Sequence, residues 1–440
     1  MLRHKMDELI QWKNRTDRKP LLIRGARQVG KTWLMQEFGR TQYAKTAYVN
    51  FDDNDRMASL FQGNLDTQRI ITALQIETDT LVTPEDTLLI FDEVQEVPRA
   101  LTSLKYFNEN APQYSIIAAG SMLGVALHHG TSFPVGKVEF MDLYPMSFSE
   151  FLEATGNQQY AQLLYSGTQE PDPQMITAFK SKYIDALRQY YYIGGMPEAV
   201  SAFAARQDYS EVRHIQTRIL SAYEQDFSKH APNEIVPRIR MLWNSIPAQL
   251  ARENRKFVYG RIREGARARE FELAMQWLID CGLIYKINRI TKPDMPIMAY
   301  TDFASFKLYM LDVGLLSAKS ELDLKSLIEG NRVFMEFKGA LTEQYVLQQL
   351  LSECGIRPYY WTANRAAAEV DFVFQHGSGI VPVEVKAEEN LKAKSLKQYC
   401  ENYKPQIALR ISMSDFRRED WLINLPLYAI SCLSDLCGGL

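Results

Sequence analysis

The chain predicts an α/β protein of several domains, and three observations carry that expectation. Through the first third, apolar strands alternate with amphipathic helical stretches, the pattern of a parallel sheet covered on both faces. A glycine turn, GARQVGKT, joins the first strand to the helix that follows it. Finally, 440 residues are too many for one hydrophobic core and suggest about three domains of ~100–200 residues each.

The strands follow in order. PLLIR is an apolar strand that runs into the glycine turn and then into the amphipathic stretch KTWLMQEFG. AYVNFDD is a second short strand, DTLLIFDEVQEV a third and YSIIAAGSML a fourth. The turn fits G-x-x-x-x-G-K-[ST] at Gly25, Gly30, Lys31 and Thr32, with Ala26, Arg27, Gln28 and Val29 inside it and Trp33 after it. Glycines let successive backbone N–H groups turn inward around phosphate oxygens at a helix N-terminus. Lys31 then reaches the β- and γ-phosphates of ATP, and the Thr32 hydroxyl is placed for Mg²⁺. A chance glycine turn is the competing explanation, and the strand before it and helix after it argue against that.

The third strand delivers Asp92 and Glu93 to the carboxyl end of a buried strand, where a second carboxylate on the metal side belongs. Asp92 is expected to hold Mg²⁺ through its water shell, and Glu93 to polarise the attacking water. Taken alone, an acidic pair after a strand also suits a solvated turn. Ser121, at the end of the fourth strand, is a candidate polar sensor of the γ-phosphate, and a plain strand-end serine fits its spacing equally.

Composition removes several classes. No apolar run approaches the ~20 residues of a membrane helix, and the basic start MLRHKMDELIQW lacks an uninterrupted apolar stretch, so cytoplasm is the expected address. Five cysteines with no C-x-x-C pair fit reduced thiols rather than a disulfide frame or a zinc site. The net charge of −3 excludes little, because a nucleic-acid surface shows as a local excess of Lys and Arg.

Such an excess lies between residues 237 and 270, where nine Lys or Arg face three Glu, a net of +6. Arg261, Arg263, Arg267 and Arg269 are the candidate phosphate contacts with DNA, each adding salt-dependent affinity. A solvated helix face or an intramolecular dock is the alternative. The continuation EFELAMQWLIDCGLIYKINRITKPDMPIMAY reads as a helix, a Gly282 stop, a strand, a Lys-Pro-Asp turn and another strand, which suggests a winged helix.

In the last third, Ala340, Leu341, Val346, Leu347 and Leu350 recur at helical spacing. Two strands follow, with apolar alternation around Asp371 and around Glu384, so that Asp371, Glu384 and Lys386 lie on comparable strand faces. Two converging carboxylates make a Mg²⁺ site, and a lysine beside them can orient or deprotonate a water attacking a phosphodiester. Glu343 on the preceding helix adds a further acid. Many E-x-K pairs are surface ion pairs, which is the competing explanation.

The motifs GARQVGKT, LLIFDEVQEVPRALTSLKYF, IIAAGSMLG, LYPMSFSEFL and YYIGGMPEAV together resemble the bacterial and archaeal AAA-type ATPases that carry a C-terminal nuclease-like domain of unknown function. The resemblance runs from about residue 15 to about residue 425. It implies an AAA-type core over residues 1–145, a helical lid over 146–230, a winged-helix connector over 231–318 and a PD-(D/E)XK-like α/β domain over 319–440. It also implies a GGMP turn, with Gly195 and Pro197, packed near the adenine.

Glu343, Asp371, Glu384 and Lys386 match the PD-(D/E)XK positions, and Gln398 matches the polar residue of the helix after them. One departure concerns FPVGKVEF, where Gly136 and Lys137 stand in place of Gly-Arg. A lysine cannot reproduce a bidentate arginine contact, so Arg252 and Arg255 become substitute candidates for a trans-acting arginine. The resemblance thus implies an ATPase coupled to a DNA-directed, Mg²⁺-dependent nuclease. A nucleotide-gated switch whose terminal domain only holds DNA or protein stays open beside it.

Overall fold

The computed structural model describes residues 2–121, 123–126, 134–164, 171–252, 255–324, 335–363, 368–388 and 393–436. Glu253, the NRVF stretch before the C-terminal helix, residues 364–367 of the ANRAAAE segment and Cys437 lie outside them. The chain divides into two compact units, one of residues 2–144 with 280–283 and one of residues 145–279 with 284–440.

The first unit is built on five parallel strands, β1 (Leu21–Arg24), β2 (Lys45–Asn50), β3 (Thr87–Asp92), β4 (Ser115–Ala119) and β5 (Glu139–Asp142), in the order β2-β3-β4-β1-β5. Every residue of β3 and of β4 is buried, which is why the stretches LLIF and IIAA within them are apolar in succession rather than alternating. Leu22, Val49, Leu89, Phe91 and Ile116 form one core with residues such as Phe61, Leu74 and Leu104 from the covering helices. Because β4 lies between β1 and β3, the loops leaving β1, β3 and β4 gather at the carboxyl edge of the sheet, where α/β folds bind ligands.

In the second unit, the described residues form an eight-stranded sheet of order β12-β13-β11-β10-β9-β8-β6-β7. Its strands are β6 (Ile284–Ile290), β7 (Thr301–Met310), β8 (Tyr359–Thr362), β9 (Glu369–His376), β10 (Gly379–Val385), β11 (Leu409–Ser412), β12 (Arg417–Arg418) and β13 (Ile423–Pro426). The hairpin expected as the wing of a separate winged helix is β6–β7, preceded by the helix Ala268–Asp280. It does not stand apart from the terminal domain. Arg289 and Ile290 of β6 pair in parallel with Tyr360 and Trp361 of β8, so the hairpin extends the terminal sheet. The pairing gives the backbone groups of β8 a partner that an edge strand lacks.

The helix Met335–Ser352 crosses this unit and is buried on every side from Ala340 to Leu350. Its polar residues are therefore satisfied internally. Gln344 accepts from the Met310 N–H at 2.9 Å and donates to the Met310 carbonyl at 2.7 Å, while Gln348 accepts from Val313 N–H at 3.0 Å and donates to Asp312 at 3.0 Å. The apolar spacing indicated one buried face. The glutamines make the other faces compatible with burial as well.

Candidate functional sites

In the first unit, the glycine turn has the conformation a phosphate loop needs. Gly25, Gln28 and Gly30 have φ of 153°, 68° and 94°, and a Cβ at Gly25 would lie 2.2 Å from the Leu143 carbonyl oxygen. Ala26 and Val29 are buried and anchor the turn, while Arg27 and Gln28 are exposed on it. Gly30 caps the helix Lys31–Gln42 with no side-chain acceptor, which leaves the first-turn N–H groups for an anion. Trp33 is 40% exposed on that first turn.

Lys31 is 5% exposed, and its ammonium donates to the carbonyls of Gly25 at 2.9 Å and Ala26 at 2.8 Å. Burial pushes its pKa down to about 8 against the pull of Glu93 and Asp92. A triphosphate would favour the charged form and raise that pKa. ATP affinity is therefore expected to be constant below about pH 8 and to fall as the pH rises above it, because the ammonium must then be reprotonated on binding. Titrations from about pH 7 to about pH 9.5 on wild type and Lys31→Arg check this. A parallel decline in both would assign the effect elsewhere.

The Thr32 hydroxyl donates to Asp92 Oδ2 at 2.6 Å and Tyr48 donates to the same oxygen at 3.0 Å. Asp92 is 1% exposed, and burial raises its pKa in spite of those two donors. The hydroxyl and carboxylate sit together as an oxygen-donor pair, which suits Mg²⁺. Glu93 adopts left-handed backbone, φ 49°, at the end of β3, a strained position for a residue with a side chain. Its Oε2 accepts from Gln95 at 2.7 Å, from the Ser121 hydroxyl at 3.1 Å and from the Ser121 N–H at 3.3 Å. Burial raises the Glu93 pKa, but donation from Gln95, the charge of Lys31 and the Ser121 contacts outweigh it and leave the carboxyl below its usual range. Ser121 is thus tied to the carboxylate expected to act on water. Lys137, the residue of the departing loop, pairs with Glu109 at 2.9 Å.

Residues 17–152 match a family model described as an AAA domain. This segment is an AAA-type P-loop ATPase domain. Two further models match, both described as domains of unknown function, DUF8612 over residues 184–326 and DUF4143 over residues 338–429. No curated protein sequence matches the chain. A Walker-type ATPase of Pyrococcus abyssi superposes at 13% identity and TM-score 0.45, covering 72% of this chain and 94% of its own. The Orc1 protein of Aeropyrum pernix, solved in complex with DNA, superposes at 12% identity and TM-score 0.27, covering 73% of this chain and 93% of its own. Cdc6p of Pyrobaculum aerophilum gives 11%, TM-score 0.25, and 75% and 95% coverage.

Outside the AAA domain, Gly195 is buried and its N–H donates to Asp312 Oδ2 at 2.7 Å, while Pro197 opens the helix Pro197–Arg206. No helix among the described residues is long and apolar enough to cross a membrane.

In the second unit, a cavity of about 940 Å³ is lined by Glu343, Asp371, Glu384 and Lys386, the residues expected together from the sequence. Lys386 pairs with Glu384 Oε1 at 2.6 Å, and Asp371 Oδ2 accepts from the Val385 N–H at 2.7 Å. Burial, with Glu343 and Glu384 nearby, holds the Asp371 pKa well above the usual carboxylate range. Burial raises Glu384 as well, against the charge of Lys386. Lys386 itself is lowered by burial but raised further by Glu384, Asp371 and Glu343, so it is an ammonium at neutral pH. Of the two tasks expected of it, orienting water fits this state and deprotonating water does not.

Four partners of the cluster were not expected from the sequence. Arg255 pairs with Glu343 Oε1, Tyr309 donates to Glu343 Oε2 at 3.0 Å, Lys307 stands 3.7 Å from Glu343 and pairs with Glu369 at 2.5 Å. Burial pushes the Glu343 carboxyl up, and Arg255 and Lys307 more than reverse this. The signals were available in part. Lys307 interrupts the apolar run FKLYML with Tyr309 two residues on, and Glu369 precedes Asp371 by two, so each pair shares a strand face. Arg255 carries no such local signal.

Among the described residues, no three acidic, His or Cys side chains stand together in a geometry that holds a metal ion. Glu343 is engaged by cations instead. Of the basic segment, Arg261 lines the cavity, Arg263 pairs with Glu270, and Arg267 and Arg269 are exposed. Gln398 is exposed on the helix Lys394–Tyr403.

Proposed function

We propose that the AAA domain drives or gates a nucleic-acid-directed second unit whose cavity hydrolyses phosphodiesters with a divalent cation. The observation that carries this reading is the gathering of Asp371, Glu384 and Lys386 in one cavity with Arg252, Arg255 and Arg261. The donor set suits Mg²⁺ at two carboxylates. The buried Glu384 Oε2 has no hydrogen-bond partner among the described residues, and Asp371 lies beside the like charges of Glu343 and Glu384, which a cation would offset. Asp371 and Glu384 would hold the ion, with Glu343 joining once released from Arg255. The bound ion supplies Lewis-acid stabilisation of the phosphoryl oxygens and a more acidic water. Lys386 keeps its charge beside Glu384 and orients that water by donating to it. The arginines bind and orient the backbone phosphates.

Calorimetry with Mn²⁺ on the intact chain tests the assignment. Asp371→Ala is expected to lose metal uptake, whereas Lys386→Ala should keep or strengthen it, since a neighbouring positive charge is removed, while losing strand cleavage. Metal uptake indifferent to Asp371 would end the nuclease reading. A second reading, a nucleotide-gated module that binds DNA or protein and cuts nothing, is favoured by the Arg255 and Lys307 contacts to Glu343, which resemble a closed structural ion network. Nicking of DNA by the wild type with Mg²⁺ or Mn²⁺, lost in Lys386→Ala, separates the two.

A further inference from the structure

Arg255 is placed at a cost. Its backbone is left-handed, φ 46°, a strained conformation for a residue with a side chain. The guanidinium reaches Glu343, with only 15% and 4% of the two side chains exposed. Gly339, four residues before Glu343 on the same helix, makes room for it, because a Cβ there would lie 2.7 Å from Nη2. Even so, the buried Nε has no hydrogen-bond partner among the described residues, so the group does not exhaust its donors in this pairing. Arg255 also lines the cavity, together with Arg252 and Arg261.

We propose that Arg255, with Arg252 and Arg261, binds a backbone phosphate of an incoming nucleic-acid strand and leaves Glu343 in doing so, so that strand and divalent cation load the cavity cooperatively. The inference rests on the reading of the cavity as a metal-dependent phosphodiester site. While Arg255 stays on Glu343, one carboxylate is neutralised and a fixed positive charge acts on Asp371, and both effects oppose a cation. Arg255 holds Glu343 through Nη1 alone, whereas a phosphate diester can accept two parallel N–H bonds from a guanidinium, so the arginine gains a contact by exchanging partners. Glu343 is not stranded by the exchange. Tyr309 still donates to it at 3.0 Å and Lys307 remains 3.7 Å away. Strand and cation then favour the same arrangement, and each must strengthen the binding of the other by the same factor.

The experiment uses the full chain, Mn²⁺ and a short DNA oligonucleotide whose integrity is checked on a gel after each titration. Mn²⁺ binding is measured by calorimetry with and without the oligonucleotide, and oligonucleotide binding by fluorescence anisotropy in EDTA. In wild type, the oligonucleotide is expected to tighten Mn²⁺ binding about tenfold or more. Arg255→Ala should bind Mn²⁺ tightly without DNA, show no further gain on adding it, and bind the oligonucleotide more weakly in EDTA. Arg255→Lys keeps the positive charge at Glu343 and so keeps metal binding weak without DNA, while its oligonucleotide affinity falls for want of the bidentate fork. This variant guards against reading a folding defect as release of the latch. If wild type and Arg255→Ala take up Mn²⁺ with equal affinity and Asp371→Asn takes up none, the metal site stands and the exchange is wrong. If neither takes up Mn²⁺ with or without DNA, the metal-dependent reading falls and this inference with it.

Discussion

ATP binding to Lys31→Ala is expected to weaken at least a hundredfold, with the AAA domain still folded. Lys31 is the buried cation of the phosphate loop, donating to Gly25 and Ala26 carbonyls that lie within the turn itself. A triphosphate presents better acceptors, and the ammonium sits in a buried setting where such a charge-assisted contact is worth about 2–5 kcal/mol, with a hundredfold corresponding to about 2.8 kcal/mol. Removing it spares the fold. The substitution takes a charged group out of a buried position and leaves Gly25, Gly30 and the anchors Ala26 and Val29 in place. Isothermal titration with Mg·ATP reads the affinity, and thermal melting without nucleotide reads the fold. Wild-type affinity in a folded Lys31→Ala protein would show that the triphosphate does not lie on this turn.

The second large effect is on turnover. Glu93→Gln is expected to hold Mg·ATP within a few fold of wild type and to hydrolyse it at least ~10²-fold more slowly, the scale of a positioned general base. The amide has the shape of the carboxylate and can still accept from Gln95 and from Ser121, so the strained turn after β3 is preserved. It cannot take a proton or carry the negative charge that polarises water. Asp92→Asn should behave differently, because Asp92 is bonded to Thr32 and so acts on the metal side, where loss of charge weakens Mg·ATP itself. Single-turnover hydrolysis with prebound ATP separates binding from chemistry. A parental rate in Glu93→Gln would reduce that residue to a strand-end carboxylate.

Much of the AAA domain was legible in the sequence because its site is local. The phosphate loop is one contiguous turn whose glycine positions are set by backbone sterics, and the burial of β3 on both faces writes itself as an apolar run ending in Asp92 and Glu93. What could not be read there was the use of Ser121 and Gln95 to hold Glu93, since strand order decides which loops become neighbours.

In the second unit the balance shifts. Period-two alternation was enough to put Asp371 and Glu384 on comparable strand faces, and both line the cavity. That the charges of Asp371 and Glu343 also act on Lys386, beside its strand neighbour Glu384, depended instead on folding. Joining of the β6–β7 hairpin to β8 arises from pairing between residues such as Arg289 and Tyr360, far apart in the chain, and no local propensity specifies a partner strand. Arg255 shows the limit most sharply. Read as one charge in a basic run, it belongs with its exposed neighbours. In the folded chain it crosses 88 positions to meet Glu343, in a space left open by Gly339. Sequence by itself determined the phosphate loop, the acidic strand ends and the alternation of the carboxylate strands, because backbone sterics and periodicity act between near neighbours. Only the tertiary structure decided which cations meet which carboxylates, because burial makes each such charge dependent on a partner that chain order does not name.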